Sequence, residues 1–142
     1  MAFRGTYDHS LDAKHRLTVP AKFRSVLAGG VVLAKGIERC VQVWPPAAYD
    51  AYVADALGDA PRLSERRRKL NRFFNGNSFE SELDGAGRVG LPRELREHGG
   101  LAKDCIVVGA GECLEIWDRA AWQAYNDRLT DDVDDISALF ES

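Results

Sequence analysis

Two short segments of the 142-residue chain carry an aspartate followed, four residues later, by an arginine. They read LDAKHRLTVPAKFR and LDGAGRVGLPRELR and begin 72 positions apart. An Asp at a strand-to-turn junction accepts hydrogen bonds from the backbone N–H groups just ahead of it, which fixes the turn, and its charge orients the later Arg. Arginine donates in a planar fork that suits phosphate or guanine O6 and N7. Asp12 and Asp84 are therefore predicted to form turns that present Arg16 and Arg88.

The two turns differ in charge. The first adds Lys14 and His15 beside its Arg, which gives three adjacent side chains able to carry positive charge, whereas the second has two glycines. An exposed basic loop is also a common feature of solvated surfaces, and Arg88 is equally compatible with a structural ion pair to its Asp or with a subunit contact. Phosphate contacts are predicted for Lys14, with Arg4 and Arg24 as further candidates, and these contacts would position the first turn while Arg16 reaches base edges.

A second pair of segments shows that the chain is a tandem duplication. CVQVWPPAAYDAY matches CLEIWDRAAWQAY at an offset of 73, with six of thirteen positions identical. Each copy predicts two short strands around the Asp turn, a helical turn that begins after a proline, a hairpin of two strands, and a longer helix. Asp118 is the predicted N-cap of the second long helix, and Ser64 that of a basic helix between the copies.

Charge is polarised along the chain although the net charge is only −3. Residues 1–72 contain thirteen Lys and Arg against seven Asp and Glu, whereas residues 73–142 contain six against fifteen. The acidic excess lies mainly in the last sixteen residues, DRLTDDVDDISALFES, which carry six carboxylates and one Arg. An anionic partner is therefore expected to meet the N-terminal half.

Catalytic, metal and membrane interpretations receive little support from the sequence. Asp8, His9 and Ser10 include the residue types of a catalytic triad, but consecutive strand residues point to alternate faces and no nucleophile motif accompanies them. The three histidines and three cysteines lack zinc-ligand spacing, and there is no C-x-x-C motif. No run of signal-peptide length or transmembrane span is present, so a cytosolic protein with buried thiols is expected. We predict no catalytic residue, no metal, no cofactor and no small-molecule substrate.

The chain resembles the MraZ family of bacterial transcriptional regulators, which are built from two tandem AbrB-type domains. The resemblance runs from Phe3-Arg4-Gly5 through the two Asp-turn segments to LEIWD. One departure is His15, which stands where the family usually has glycine. If that position needs a positive φ, histidine is among the less unfavourable alternatives, at a cost of about 1 kcal/mol.

The resemblance implies an α+β, mainly β fold in which two AbrB-like swapped-hairpin repeats form one pseudo-twofold β-barrel with flanking helices. It also implies a homo-oligomeric ring that binds direct repeats in double-stranded DNA upstream of the division and cell-wall gene cluster, its own promoter included. The chain would act there as a repressor and be associated with the nucleoid. The predicted boundaries are 3–57 for the first repeat, 58–76 for a basic helical linker, 77–130 for the second repeat and 131–142 for an acidic tail. The alternative is an AbrB-type protein-interaction or antitoxin-like scaffold.

Overall fold

The computed structural model describes residues 2–141 as an α+β fold with a mostly antiparallel arrangement of strands. The strands are β1 (Thr6–Ser10), β2 (Arg16–Thr18), β3 (Val31–Lys35), β4 (Val41–Trp44), β5 (Ser78–Ser81), β6 (Arg88–Gly90), β7 (Asp104–Gly109) and β8 (Leu114–Asp118). The helices are α1 (Pro46–Leu57), α2 (Glu65–Gly76), α3 (Arg93–Gly99) and α4 (Arg119–Glu141), with a short 3-10 helix at Ala21–Phe23.

Strands of the two repeats are interleaved. Six strands form one sheet in the order β1-β7-β8-β4-β3-β5, so each repeat contributes strands on both sides of the sheet centre. The remaining strands, β2 and β6, pair with each other across the repeats as a separate two-stranded ribbon, hereafter the ribbon. Neither repeat therefore holds its own complete sheet, and the two halves fold as a single unit.

The predicted closed barrel is not found among the described residues. β1 pairs only with β7 and β5 only with β3, so the six-stranded sheet stays open at both edges. The ribbon instead covers one face of this sheet through side-chain packing, because its inward residues Leu17 and Val89 join the main core with Val43 and Ile116. Burial of apolar side chains, rather than hydrogen bonding between all neighbouring strands, closes the structure.

The opposite face of the sheet is covered by helices. Trp44 on β4 packs against Tyr49 and Tyr52 of α1, with ring centroids 5.5 and 4.7 Å apart. In the second repeat, Trp117 makes the same contacts with Trp122 and Tyr125 of α4, at 5.3 and 4.8 Å. The duplication read from the sequence is thus repeated in the packing of the aromatic side chains.

Both predicted N-caps are confirmed. The hydroxyl of Ser64 accepts a hydrogen bond from the backbone N–H of Arg67 at 3.2 Å, and Asp118 Oδ2 accepts one from Ala121 at 3.0 Å. These caps satisfy N–H groups that have no partner within the first turn of a helix. From its cap α4 continues as one helix into the segment predicted as an acidic tail.

Candidate nucleic-acid interface

The two Asp-x-x-x-Arg turns adopt the same geometry. In the first turn, Asp12 Oδ1 accepts the N–H groups of Lys14 and Arg16, each at 2.9 Å, while its Oδ2 lies 2.8 Å from Nε of Arg16. In the second turn, Asp84 Oδ1 accepts the N–H groups of Ala86 and Arg88 at 2.9 Å. Its Oδ2 lies 2.9 Å from Nε of Arg88. Each aspartate thus forms the turn and also orients the arginine.

These hydrogen bonds favour the ionised form of both aspartates. The backbone N–H of Arg16, followed by its side chain, lowers the pKa of the Asp12 carboxyl, and Arg88 has the same effect on Asp84. Hydrogen bonds to a carboxylate favour its charged form. The ion pair between Asp84 and Arg88, one of the alternatives that the sequence left open, is present, and the first turn contains an equivalent pair.

The residue before each arginine has a left-handed backbone conformation. The φ angle is 59° at His15 and 75° at Gly87, and His15 is the only non-glycine residue with positive φ among residues 2–141. A positive φ is strained for side chains with a Cβ, although histidine is less rare there than most residues. The condition raised from the sequence is met: this position has a positive φ, and histidine occupies it.

The ribbon brings the two arginines onto one surface. Arg16 is paired with Gly90 and Thr18 with Arg88, so the two arginines lie diagonally across the ribbon. In antiparallel pairs such diagonal neighbours are about 7–8 Å apart. Because Leu17 is buried beneath the ribbon, the alternation of a strand directs Arg16 and Arg88 away from the core. The two repeats therefore present one shared basic face.

Arg24 lies beside the second turn rather than the first. Its Nε donates to the Val19 carbonyl at 3.0 Å, and a Cβ placed on Gly87 would come within 2.3 Å of that same Nε. The structure thus places Arg24 at the second turn, and its phosphate contact stays a prediction. The reason is the pairing between repeats, because the N–H of Val19 donates to the Gly87 carbonyl at 2.9 Å.

Arg96 has the corresponding place at the first turn and was not singled out from the sequence. Its Nε donates to the Leu91 carbonyl at 3.1 Å, and the N–H of Leu91 donates to the His15 carbonyl at 3.0 Å. Each turn is thus flanked by an arginine of the other repeat. The sequence carried the signal, because Arg24 and Arg96 are separated by the repeat offset of 72.

Lys103 is a second residue that sequence reasoning missed. The N–H of Leu11 donates to the backbone carbonyl of Lys103 at 2.8 Å, and Lys103 lines the same surface depression as Asp12 and His15. The pairing of β1 with β7 produces this proximity across about ninety residues, so no local pattern could reveal it.

Arg4 lies apart from the first turn. Its backbone packs against Gly109, where an added Cβ would come within 2.4 Å of the Arg4 nitrogen. β1 separates Arg4 from Asp12, and its five residues of extended chain span about 16 Å. The structure therefore assembles Lys14, His15 and Arg16 with Arg88, Arg24 and Arg96, but it does not bring Arg4 to the first turn.

The triad-type residues on β1 are arranged as their strand alternation predicts. Asp8 and Ser10 are exposed, whereas His9 is half-buried and burial lowers its pKa. Asp8 is engaged in an ion pair with Arg119 of α4. Within residues 2–141, no helix is long and apolar enough to cross a membrane.

Fold and site together define a class of protein: a tandem-repeat α+β chain whose repeats exchange strands and display paired Asp–Arg turns on a common ribbon. The family model described as "MraZ protein, putative antitoxin-like" matches the chain twice, at residues 2–73 and 74–138. The chain belongs to the MraZ family.

Several curated relatives cover nearly the whole chain. It is 42% identical over 130 residues to the "Transcriptional regulator MraZ" of Saccharopolyspora erythraea, covering 92% of this chain and 90% of that protein. The protein of the same name from Limosilactobacillus fermentum is 37% identical over 139 residues, with 98% and 96% covered. That of Salinispora tropica is 42% identical over 134 residues, with 94% of each chain covered.

Proposed function

We propose that this chain is a transcriptional regulator that binds double-stranded DNA through the outer face of the ribbon and its two turns. The observation that carries the proposal is the diagonal placement of Arg16 and Arg88 on one two-stranded ribbon. The major groove of B-DNA is wide enough to admit a two-stranded ribbon. The names of the relatives support the regulatory role.

The ion pairs prepare the arginines for base contact. Asp12 binds Arg16 through Nε, and Asp84 binds Arg88 in the same way, so neither ion pair uses the two Nη groups that a base contact would need. A guanidinium held in one orientation loses less side-chain entropy when it binds. A bidentate contact of this kind with guanine discriminates against the wrong base by about 1–3 kcal/mol.

The turns differ in their contribution. The first turn adds the exposed Lys14 and His15 to its arginine, and Lys103 lies beside it. We assign Lys14 and Lys103 to phosphate contacts and Arg16 to base edges, because phosphate contacts set position whereas base contacts set sequence preference. The second turn, with Arg88 and Arg24, would follow the backbone of the same groove.

The family resemblance extends the proposal to operator and assembly. Several copies in a homo-oligomeric ring would bind direct repeats upstream of the division and cell-wall gene cluster, the chain's own promoter included, and repress transcription. Weak contacts from single copies would then add through avidity, because binding of one copy raises the effective concentration of the next at its repeat.

Fluorescence anisotropy with the duplex upstream of the gene and a scrambled duplex, across a salt series, tests the function. We expect specific binding with a log–log salt slope of about −0.9 for each phosphate contact. Arg16→Ala should weaken specific binding by at least tenfold, whereas Lys69→Ala should not, since Lys69 lies on α2, across the sheet from the ribbon, and pairs with Glu65. Equal affinity of parent and Arg16→Ala for the specific duplex would refute the assignment. Weak salt-insensitive binding to both duplexes would instead favour a protein-interaction scaffold.

A further inference from the structure

The second half of α4 carries an apolar stripe that the rest of the described chain leaves exposed. Val133 is 47% exposed, Ile136 45% and Phe140 86%, and Leu129 continues the row toward the body of the protein. Spacings of four, three and four residues place these side chains on one face of a helix. We refer to these four residues as the α4 stripe.

The first repeat shows what such a face binds. There α1, the counterpart of α4, is covered by α2: the ring of Tyr52 packs on that of Phe74 with centroids 5.6 Å apart. The hydroxyl of Tyr49 also donates to the Phe74 carbonyl at 2.8 Å. The second repeat has the matching aromatic residues in Trp122 and Tyr125, but the described chain provides no second helix to cover α4. The α4 stripe therefore extends a face that binds a helix in the other repeat.

Acidic side chains flank the α4 stripe. Asp132 and Asp135 lie along one edge and Asp134 along the other, where it shares a shallow groove with Leu129 and Val133. Two such helices packed face to face would bring these carboxylates together, and like charges in close contact oppose association. The flanks instead favour a partner that combines an apolar side chain with positive charge.

The start of α2 provides that combination. Leu63 is 83% exposed, immediately before the helix N-cap, and Arg62 and Arg66 beside it are also exposed. The long apolar stems of arginine can cover apolar surface while the guanidinium groups reach carboxylates. We refer to these three residues as the α2 patch.

We propose that the α4 stripe of one copy docks on the α2 patch of a second copy of this chain. The proposal rests on the homo-oligomer of the proposed function and assigns its contact surfaces. The contact is heterologous, because each copy offers two different surfaces, so repetition closes into a ring or extends as a filament. Both surfaces lie on or next to helices that pack across the sheet from the ribbon, which leaves the arginine turns free.

Complementary charge-reversal variants test the pairing without DNA, which separates this proposal from the DNA-binding function. One variant carries Asp132→Lys and Asp135→Lys, and the other carries Arg62→Glu and Arg66→Glu. Each alone should shift toward the 15.7 kDa chain in light scattering coupled to size exclusion, because each then pairs like charges. Mixing the two should restore the assembly, since every contact in an alternating array again joins opposite charges.

A cysteine pair distinguishes this contact from alternatives. Leu63→Cys combined with Ile136→Cys should give disulfide-linked species of two or more chains on mild oxidation, whereas Ile136→Cys alone should not. The native thiols do not interfere because Cys40, Cys105 and Cys113 are buried. A monomeric parent, unchanged assembly in both charge variants, failure of the mixture to assemble, or cross-linking by Ile136→Cys alone would each overturn the proposal. Restored assembly without specific DNA binding would support this interface while refuting only the proposed function.

Discussion

Substituting Gly87 with alanine tests the exchange of arginines between repeats. Gly87 has a φ of 75°, which costs an alanine about 1 kcal/mol. The new Cβ would also lie 2.3 Å from Nε of Arg24, so this guanidinium must move and give up its hydrogen bond to the Val19 carbonyl. Loss of a hydrogen bond from a charged group costs about 1.5–3 kcal/mol, of which we take the lower part because Arg24 is only half-buried.

The two costs together predict that Gly87→Ala lowers the free energy of unfolding by roughly 2–3 kcal/mol. For a chain of this size that corresponds to a fall in Tm of roughly 10 °C. The matched control is His15→Ala, since position 15 has the same backbone conformation but already carries a Cβ. Its cost should stay below about 1 kcal/mol.

Urea unfolding of parent, Gly87→Ala and His15→Ala at one protein concentration measures both values. A fixed concentration is needed because the proposed assembly would make apparent stability depend on concentration. Equal midpoints for the two variants would show that Arg24 does not pack over the second turn. The crossed arrangement of the arginines would then be wrong.

Three further predictions concern single side chains. Glu115→Gln should stabilise the protein at pH 7. Burial raises the pKa of Glu115, so the parent loses stability as pH rises through that pKa. In urea titrations at several pH values, the stability advantage of the variant should therefore shrink toward pH 4.5. An advantage that is constant with pH would contradict this origin. Asp12→Ala should weaken DNA binding although it removes a negative charge, because the turn loses two backbone contacts and the orientation of Arg16; tighter binding in anisotropy would show that charge alone governs affinity. Burial raises the pKa of Cys105 to about 11 and of Cys113 to about 12, so the native protein should react slowly with a thiol reagent such as DTNB. The unfolded chain should react at all three thiols. Rapid labelling of the folded protein would contradict the burial.

The sequence predicted those features that depend on local chemistry. The Asp turns and the caps at Ser64 and Asp118 each follow from residue type at a fixed spacing, and all are present. The positive φ at His15 was raised as a condition by the family resemblance, and the structure has it. The hairpins β3–β4 and β7–β8 are equally local, because in each a short turn joins an apolar run to a strand in which apolar and polar residues alternate. Because the chain is duplicated at a fixed offset, the elements predicted for one half could also be assigned to the other.

Features that depend on contacts between the repeats were beyond the sequence reading. Pairing between the halves determines three features: which turn Arg24 lies beside, the proximity of Lys103 to the first turn, and the open edges of the sheet. The length of α4 was also missed, since its run of aspartates has low helix propensity. An apolar face that continues through Val133 and Ile136 is compatible with a helix that runs on to Glu141.

The central claim is that Arg16, held by Asp12, reads a base of the operator. The most direct measurement is the affinity of parent and Arg16→Ala for the specific duplex and for duplexes in which one guanine at a time is replaced by another base. We predict that one substitution weakens the parent by about 1–3 kcal/mol per contact and has no further effect on Arg16→Ala. The same loss in both proteins, at every substituted position, would show that Arg16 does not read the sequence.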